Sequence, residues 1–440
     1  MTLNWQLLQQ FIIKHELSKR PLVVALSGGI DSVCLLQLFI EIRQQTGQDF
    51  VAVHVNHGLS EHAVDWQHQV ESLCLENQVK LTSCVISLTK ASRTSLEQLA
   101  RDGRYQAIAE AVPAKAVVFT GHHQADQFET FILRLMRGSG LTGLASMREL
   151  SSYPNEFGQS KNLQLARPLL SINKHQITDL VKQVAGSWVE DESNLDTGFD
   201  RNFVRHNLLP NFESKWPQAL SSVQNTTSLL QQELDLLNEY IAVDLKQVLT
   251  TGFEQQQVMD LAKLKMLSIN KQGPIVRHYI QKHTGEYPSR NALEQFFLQM
   301  NESKVDRQPE IKVGEFSLRI YKSLLYITKR IASNIPLTSS KVKTNMWVEL
   351  PNDSNYATMF IETFDEADCS LKWGALSDKL QPHPNSGSKQ VKAVLKELNC
   401  PPWLRSSIPL IYVHGTLVAI ADKVIDYRWK KQLKITLKKA

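Results

Sequence analysis

The sequence predicts an α/β protein: a doubly wound parallel sheet, then a helical domain, then a small mixed α+β domain at the C-terminal end. Three observations carry this reading. From Pro21, short β-branched apolar runs alternate with longer helical patterns, which is the βαβ signature. After Pro210, apolar residues recur at helical spacing through polar, Gln-rich sequence. From Ala332 a polar, turn-rich stretch precedes a segment that mixes strands with one helix.

Each element follows from its local pattern. Residues 21–26 are continuously apolar after Pro21 and read as a strand buried on both faces. Residues 33–42 read as a helix, 50–55 as a strand, 61–77 as a helix and 80–86 as a strand. Thr94 with Glu97 is a candidate capping box for a helix to about Glu110, followed by a strand over 116–120. In the next helix Phe128, Phe131, Ile132, Leu135 and Met136 recur at i, i+3, i+4, i+7 and i+8, an apolar stripe expected to pack on the sheet. Val223, Leu230, Leu234, Leu237, Ile241 and Val248 mark a long connecting helix. Helical pattern continues to about Met300, and residues 310–327 then show strand-like runs split around Gly314 and Lys322. A polar linker over 332–345 leads to a segment with one helix near 389–398 and several strands. The expected domains are therefore 1–215, 216–331 and 332–440, consistent with 440 residues at about 150 per domain.

Composition narrows the function classes. A 42% hydrophobic and 21% charged chain is ordinary globular protein, which excludes wholesale disorder and collagen-like sequence. No apolar stretch approaches the roughly 18 residues of a membrane-spanning helix, so no membrane role is expected. Lys14, Glu16, Lys19 and Arg20 interrupt the first twenty residues, which argues against a secretory signal, so a cytoplasmic location is expected. Five dispersed cysteines without a C-x-x-C pair argue against a disulfide framework, a zinc ribbon or a dithiol redox site; they are expected to be reduced and mostly buried. A net charge of +5 permits a polyanionic partner without demanding one.

The most informative residues are Ser27-Gly28-Gly29-Ile30-Asp31-Ser32, between a buried strand and a helix start. Two glycines let the backbone turn tightly and aim N–H groups at an anion, and the helix N-terminus adds partial positive charge. Ser27 and Ser32 add hydroxyls. Asp31 would repel phosphate unless a divalent cation lies between them, so it predicts Mg²⁺. The Walker lysine is absent, which removes γ-phosphoryl transfer of that type. The bland alternative is a Gly-rich turn with a Ser or Asp cap.

This loop resembles the phosphate loop of the N-type ATP pyrophosphatases, enzymes that adenylate a substrate oxygen and release pyrophosphate. Further motifs are similar to the tRNA(Ile)-lysidine synthetase family within that group: His54-Val55-Asn56-His57-Gly58-Leu59-Ser60, Ala100-Arg101 with Arg104-Tyr105, and Gly121-His122-His123 with Asp126-Gln127 and Glu129-Thr130. So are Arg137-Gly138-Ser139-Gly140, Arg167-Pro168-Leu169-Leu170, and the run Asp191, Ser193-Asn194, Asp196, Phe199, Arg201-Asn202, Arg205, Pro210. Pro401-Pro402-Trp403-Leu404-Arg405 with Ile408-Pro409-Leu410 resembles the family's C-terminal domain, so the likeness runs nearly end to end. One departure is Ala125, where the family often has a first Asp before Asp126.

The resemblance implies that ATP activates C2 of the wobble cytidine in a CAU-anticodon isoleucine tRNA as an adenylate. The ε-amine of free L-lysine then displaces AMP to give lysidine. ATP and Mg²⁺ are the expected cofactors, and a homodimer is compatible with the sequence. Ser27, Gly28, Gly29, Ile30, Asp31, Ser32 and His54 are the expected nucleotide-binding residues, with Asp31 and Asp126 holding the metal at the carboxyl edge of the sheet. Asp31, Asp126, Arg101, Arg104 and His123 are the expected catalytic set; Arg137, Asp191, Asn194, Arg201 and Arg205 are the expected substrate contacts.

Each residue also has a plainer role. Asp126 caps a helix in the plainer reading, and Arg101 and Arg104 are solvated. His54, His57, His122 and His123 form two separated pairs without cysteine, which suits a polar contact to nucleotide or base better than zinc. The acidic run of Glu190, Asp191, Glu192, Asp196 and Asp200 is a candidate for recognising the lysine ammonium or a solvated turn. Arg428, Lys430, Lys431, Lys434, Lys438 and Lys439, interleaved with Tyr427 and Trp429, suit RNA or make a frayed basic tail. The competing functions are a tRNA thiolase, whose relatives commonly use cysteine pairs, and a catalytically dead RNA-binding protein, against which intact Asp31 and Ser32 argue. A glutamine amidotransferase would need a nucleophilic cysteine, and position 2 is Thr2.

Overall fold

The computed structural model of the protein describes residues 3–58, 60–86, 96–154, 156–184, 188–190, 192–301, 310–330, 340–351, 356–363 and 368–439. It divides into two compact units, Met1–Asn238 and Glu239–Ala440.

A helix that the sequence reading did not anticipate, α1 (Trp5–Lys14), opens the first unit, which then follows the expected alternation: β1 (Leu22–Ala25), α2 (Ile30–Thr46), β2 (Val51–Asn56), α3 (Ala63–Glu76), β3 (Leu81–Val85), α4 (Leu96–Ala111), β4 (Val117–Phe119) and α5 (Gln124–Met136). Then come α6 (Leu141–Leu144), β5 (Leu150–Ser152), α7 (Glu156–Ser160), β6 (Gln164–Ala166) and α8 (Lys174–Val184). The strands form one sheet in the order β3-β2-β1-β4-β6-β5, parallel except for β5 at the edge. The chain builds outward from β1 through β2 to β3, then returns to place β4 on the other side of β1. That reversal opens a crevice at the carboxyl ends of β1 and β4, where open α/β sheets bind ligands.

Burial on both faces of the sheet explains the continuous apolar strands. Leu22 and Val24 join Val117, Phe119, α1, α2 and α8 in one core, whereas Val23 joins Val53, Val118, Leu165 and α4 in the other. The strands β5 and β6, of three residues each, are too short to show alternation and were not anticipated. The candidate cap at Thr94 lies outside the described residues, as does the side chain of Glu97.

The stripe on α5 requires a correction. Phe128 is buried and Ile132 and Leu133 are partly so, but they pack with Val204, Leu209, Ala219 and Leu220 of the helices that follow rather than on the sheet. Leu135 and Met136 are exposed. The face turned the other way at the start of α5 is polar, because it carries the site.

The helices after residue 200 are α9 (Asp200–Phe203), a π-helical turn at Val204–Leu208, α10 (Leu209–Lys215) and the 30-residue α11 (Ala219–Val248), the long helix expected from its spacing. The second unit contains two strands that the helical reading missed, β7 (Leu249–Thr251) and β8 (Gln257–Asp260). They complete an antiparallel sheet, β7-β8-β11-β10-β9, with the anticipated β9 (Glu310–Val313), β10 (Phe316–Tyr321) and β11 (Leu324–Lys329). Its helices Ile269–Thr284 and Arg290–Asn301 cover that sheet's apolar face.

Most of the expected linker, residues 331–339, lies outside the described residues; Ser340–Val342 is already a strand. The C-terminal segment has the expected helix, Val391–Glu397, among short antiparallel strands. The basic tail is not frayed. Leu433–Lys439 is a strand paired along Tyr356–Thr363, with Leu433 buried and Lys434 and Lys438 on the exposed face. Arg428 is held by both carboxylate oxygens of Asp426, and Lys438 lies 4.2 Å from the Trp347 ring centre. All five cysteines are unpaired; Cys34, Cys74, Cys369 and Cys400 are buried and Cys84 is half-buried.

Candidate active site

The loop after β1 is shaped by its own side chains. Gly28 has φ +90°, and a Cβ there would meet Val189 and Val70 at 3.0 Å, so both conformation and space require glycine. Ser32 lies on the first turn of α2. Its hydroxyl accepts from the Gly28 N–H at 3.1 Å and from the Ser27 hydroxyl at 3.1 Å, and donates to the Gly29 carbonyl at 2.8 Å. Ser32 is therefore the clamp of the loop, while the Gly29 N–H is only weakly held by Ser27 at 3.4 Å. Gly29 is the N-cap of α2 and supplies no side-chain acceptor, which leaves that helix's N-terminal donors toward the crevice.

His54, at the end of β2, is buried and pairs through Nδ1 with the Leu26 carbonyl at 2.8 Å. A carbonyl can only accept, so Nδ1 carries the proton and Nε2 of the neutral ring is an acceptor. Burial lowers its pKa, which keeps that ring neutral.

The opposite wall comes from the end of β4. Gly121 is pressed against the loop: a Cβ there would stand 2.7 Å from the backbone C and O of Asp31. His123 is the N-cap of α5, accepting the Ala125 N–H on Nδ1 at 3.2 Å. Its proton is thereby fixed on Nε2, which lies 3.6 Å from Asp31 Oδ1 and 3.6 Å from Asp126 Oδ2. One imidazole thus faces both carboxylates expected to do chemistry.

Asp126 also returns the cap, accepting the His123 N–H on Oδ2 at 2.9 Å, so the plainer reading of this residue is realised too. Its other oxygen accepts from Arg201 Nη2 at 2.9 Å and Arg205 Nη2 at 3.3 Å. Glu129, one turn on and fully buried, accepts from Arg201 Nε at 2.6 Å and Arg205 Nε at 2.7 Å. Two carboxylates three residues apart on α5 therefore face two arginines four residues apart on α9 and its π-helical turn. Burial alone would raise the pKa of Asp126, but its placement beside His123 and the charge of Arg201 outweigh it and hold the carboxyl below its ordinary range. Arg201 is correspondingly raised by Asp126 and Glu129 against its burial.

Lys174, in the first turn of α8, donates to Asp31 Oδ1 at 2.5 Å. Sequence reading passed over it. One signal was available: a lysine at a helix N-terminus opposes the macrodipole, so it needs an anionic partner elsewhere. Glu129 stood within a quoted motif but was given no role, because nothing in sequence places it against residues 201 and 205.

The remaining expected residues are dispersed around this centre. Arg101 and Arg104 are exposed on α4, their guanidinium carbons 5.7 and 5.8 Å from the Tyr105 ring centre. Arg137 is exposed at the C-cap of α5. Asp191 lies outside the described residues; Asn194 is in a 3₁₀ turn, Glu192–Leu195, with its side chain not described. Within the acidic run, Asp196 accepts the Gly198 N–H at 2.9 Å, which is the solvated-turn role.

Asp31 suits a magnesium ion as a hard-oxygen donor. It is one-third exposed, and its contacts to Lys174 and His123 use Oδ1 only. Asp126 suits it less, since its two oxygens already serve two guanidinium groups and a backbone N–H. Among the described residues no three His, Cys, Asp or Glu side chains are arranged to hold a metal, so most ligands of such an ion would come from phosphate and water.

Comparison with known proteins identifies the family. A PP-loop domain family matches residues 3–212, a TilS substrate binding domain matches 259–326 and a TilS substrate C-terminal domain matches 369–436. The tRNA(Ile)-lysidine synthase of Vibrio cholerae is 30% identical over 433 residues, covering 94% of this chain and 93% of its own. That of Haemophilus influenzae is 31% identical over 428 residues, covering 92% and 96%. Among solved structures, the U34-tRNA thiolase NcsA from Methanococcus maripaludis overlaps 51% of this chain and 79% of its own, with 15% identity and a TM-score of 0.40.

Proposed function

Since this chain belongs to the tRNA(Ile)-lysidine synthase family, we propose that it joins the ε-amine of free L-lysine to C2 of the wobble cytidine in a CAU-anticodon isoleucine tRNA. ATP is consumed by adenylation of the C2 oxygen, with release of pyrophosphate and then AMP. The observation that carries this reading is the crevice between β1 and β4, where the Ser27–Ser32 loop faces His123, Asp126 and the Arg201–Arg205 pair.

The loop N–H groups and the N-terminus of α2 hold phosphate oxygens, with Ser32 fixing the turn so that no reorganisation is needed as charge develops. His54 offers an Nε2 acceptor to the nucleotide. Mg²⁺, held by Asp31, supplies charge neutralisation of the phosphates when bound. Lys174 is the neighbouring cation that balances Asp31 and lies within reach of the same phosphates. His123 orients Asp31 and Asp126 together, and Arg101 and Arg104 steady the adenylated strand.

Lysine carries two ammonium groups and one carboxylate, so its subsite needs both signs of charge. Asp126 and Glu129 neutralise Arg201 and Arg205 and Glu129 is fully buried, so this network braces the site wall, and the acidic run at residues 190–200 stays the candidate for the ammonium groups. Asp126 is assigned a positioning role there rather than a metal-ligand role. Incubating the purified protein with transcribed tRNA, ATP, Mg²⁺ and lysine, followed by nucleoside mass spectrometry, tests the proposal. A lysine adduct on cytidine is expected; a sulfur-containing product would replace this reading with the thiolase one, and no product at all would leave a dead RNA-binding protein.

A further inference from the structure

Some arginines of this protein are matched with carboxylates. Arg201 and Arg205 meet Asp126 and Glu129, Arg148 meets Asp235, and Arg428 meets Asp426. Arg20 and Arg43 of the first unit instead spend their guanidinium groups on carbonyl oxygens. Among the described residues, Arg101, Arg134, Arg137 and Arg167 have no carboxylate within ion-pair distance, and neither has Arg104.

Arg167 is the most telling. It follows β6, is only 8% exposed, and uses Nη1 on the Arg148 carbonyl at 2.9 Å and Ser151 Oγ at 3.2 Å. Its Nε is buried without a partner. Arg134 on α5 has one bond, to the Gly143 carbonyl at 2.9 Å. Burial lowers the pKa of Arg167, and the charges of Arg101 and Arg134 lower it further; burial, Arg101 and Arg137 do the same to Arg134. Arg134 thus feels Arg101 and Arg137, and Arg167 feels Arg101 and Arg134. A buried guanidinium without a counter-charge is costly, and a cluster is retained where an anion completes it.

We propose that Arg101, Arg134, Arg137 and Arg167 form a phosphate subsite that grips the RNA strand, distinct from the nucleotide loop. The assignment rests on the tRNA reading above and extends it from Arg101 and Arg137 to Arg134 and Arg167, which that reading does not use. Phosphate could come from ATP or from RNA, and two features favour RNA. ATP already has donors in the Ser27–Ser32 loop and in Lys174 on the far wall. The arginines also come from separate elements, Arg101 from α4, Arg134 and Arg137 from the end of α5 and Arg167 from the segment after β6, which suits a strand of phosphodiesters rather than one nucleotide.

The test uses the full-length protein and two variants, Arg134→Gln and the exposed Arg137→Gln, whose folding is not at risk. Binding of transcribed CAU-anticodon tRNA is titrated at several salt concentrations, and ATP binding is measured separately. Each variant should lose about tenfold or more in tRNA affinity, with the salt dependence flattened by about 0.7–0.9 per contact removed. ATP affinity should stay within about twofold, and the Arg134→Gln protein should unfold at no lower temperature, since it has lost a repelled charge. Unchanged tRNA affinity and slope in both variants overturn the subsite. A parallel loss of ATP affinity overturns it too, by assigning the phosphate to the nucleotide. A wild-type protein that binds no tRNA overturns the functional reading itself, an outcome separate from the other two.

Discussion

Replacing Gly121 by alanine should disable catalysis through the backbone of a residue on another element. The added Cβ would stand 2.7 Å from the C and O atoms of Asp31 and 3.0 Å from its Cβ, whereas ordinary contact begins at 3.4 Å. The end of β4 and the first turn of α2 must therefore separate by about 0.7 Å, and these atoms cannot rotate aside as a side-chain tip would. The turn is also tied down, since Ser32 and Val33 both donate their N–H groups to the Gly29 carbonyl. Overpacking of this kind costs about 1–3 kcal/mol. For a unit of this size that lowers the unfolding midpoint by about 2–12 °C. The chemical effect should be larger, because a displacement near 1 Å costs about 100-fold when reacting groups must be aligned. Pyrophosphate exchange and AMP formation should fall by about that factor while the protein still folds. Near-normal turnover with an unchanged midpoint would refute the claim that the approach of β4 to α2 sets the position of Asp31.

Asp31→Ala should leave the fold intact, because the side chain is one-third exposed, yet stop AMP formation by at least about 100-fold and abolish its Mg²⁺ dependence; retained Mg²⁺-dependent turnover would contradict the assignment. Glu129→Ala removes the buried partner of two arginines and should destabilise the first unit by about 3–5 kcal/mol, with Glu129→Gln milder. A double-mutant cycle with Arg201→Met should show coupling; simple additivity would mean that the pair does not interact. His122 has its pKa pushed well below the imidazole range by burial, with Arg167, Arg201 and Arg104 adding and Asp126 opposing. The unfolded chain therefore binds the extra proton, and stability should decline as pH falls below about 6.5, before Asp126 begins to protonate. Comparing unfolding midpoints of wild type and His122→Gln between pH 5 and 7.5 checks this: the wild type should lose more, and parallel curves would contradict it.

The amino-acid sequence by itself determined what is local. Continuous apolar runs specify strands buried on both faces, and the six elements from β1 to α4 stand within a few residues of where periodicity puts them, although α1 was not read. The loop at residues 27–32 was equally legible, since Gly28 needs a left-handed conformation and Ser32 clamps a turn only four residues back. Short strands such as β5 to β8 were not, because their few residues, unlike those of β1 and β4, make neither a continuous apolar run nor a readable alternation. Tertiary structure alone decided which charges meet. Lys174 reaches Asp31 across 143 residues, and Arg201 reaches Glu129 across 72. It also decided that α5 turns Phe128 toward the later helices and its carboxylates toward two arginines. Sequence spacing constrains a residue only to its own element and face. Which element lies opposite follows from strand order, and here β4 returning beside β1 brings His123 between Asp31 and Asp126.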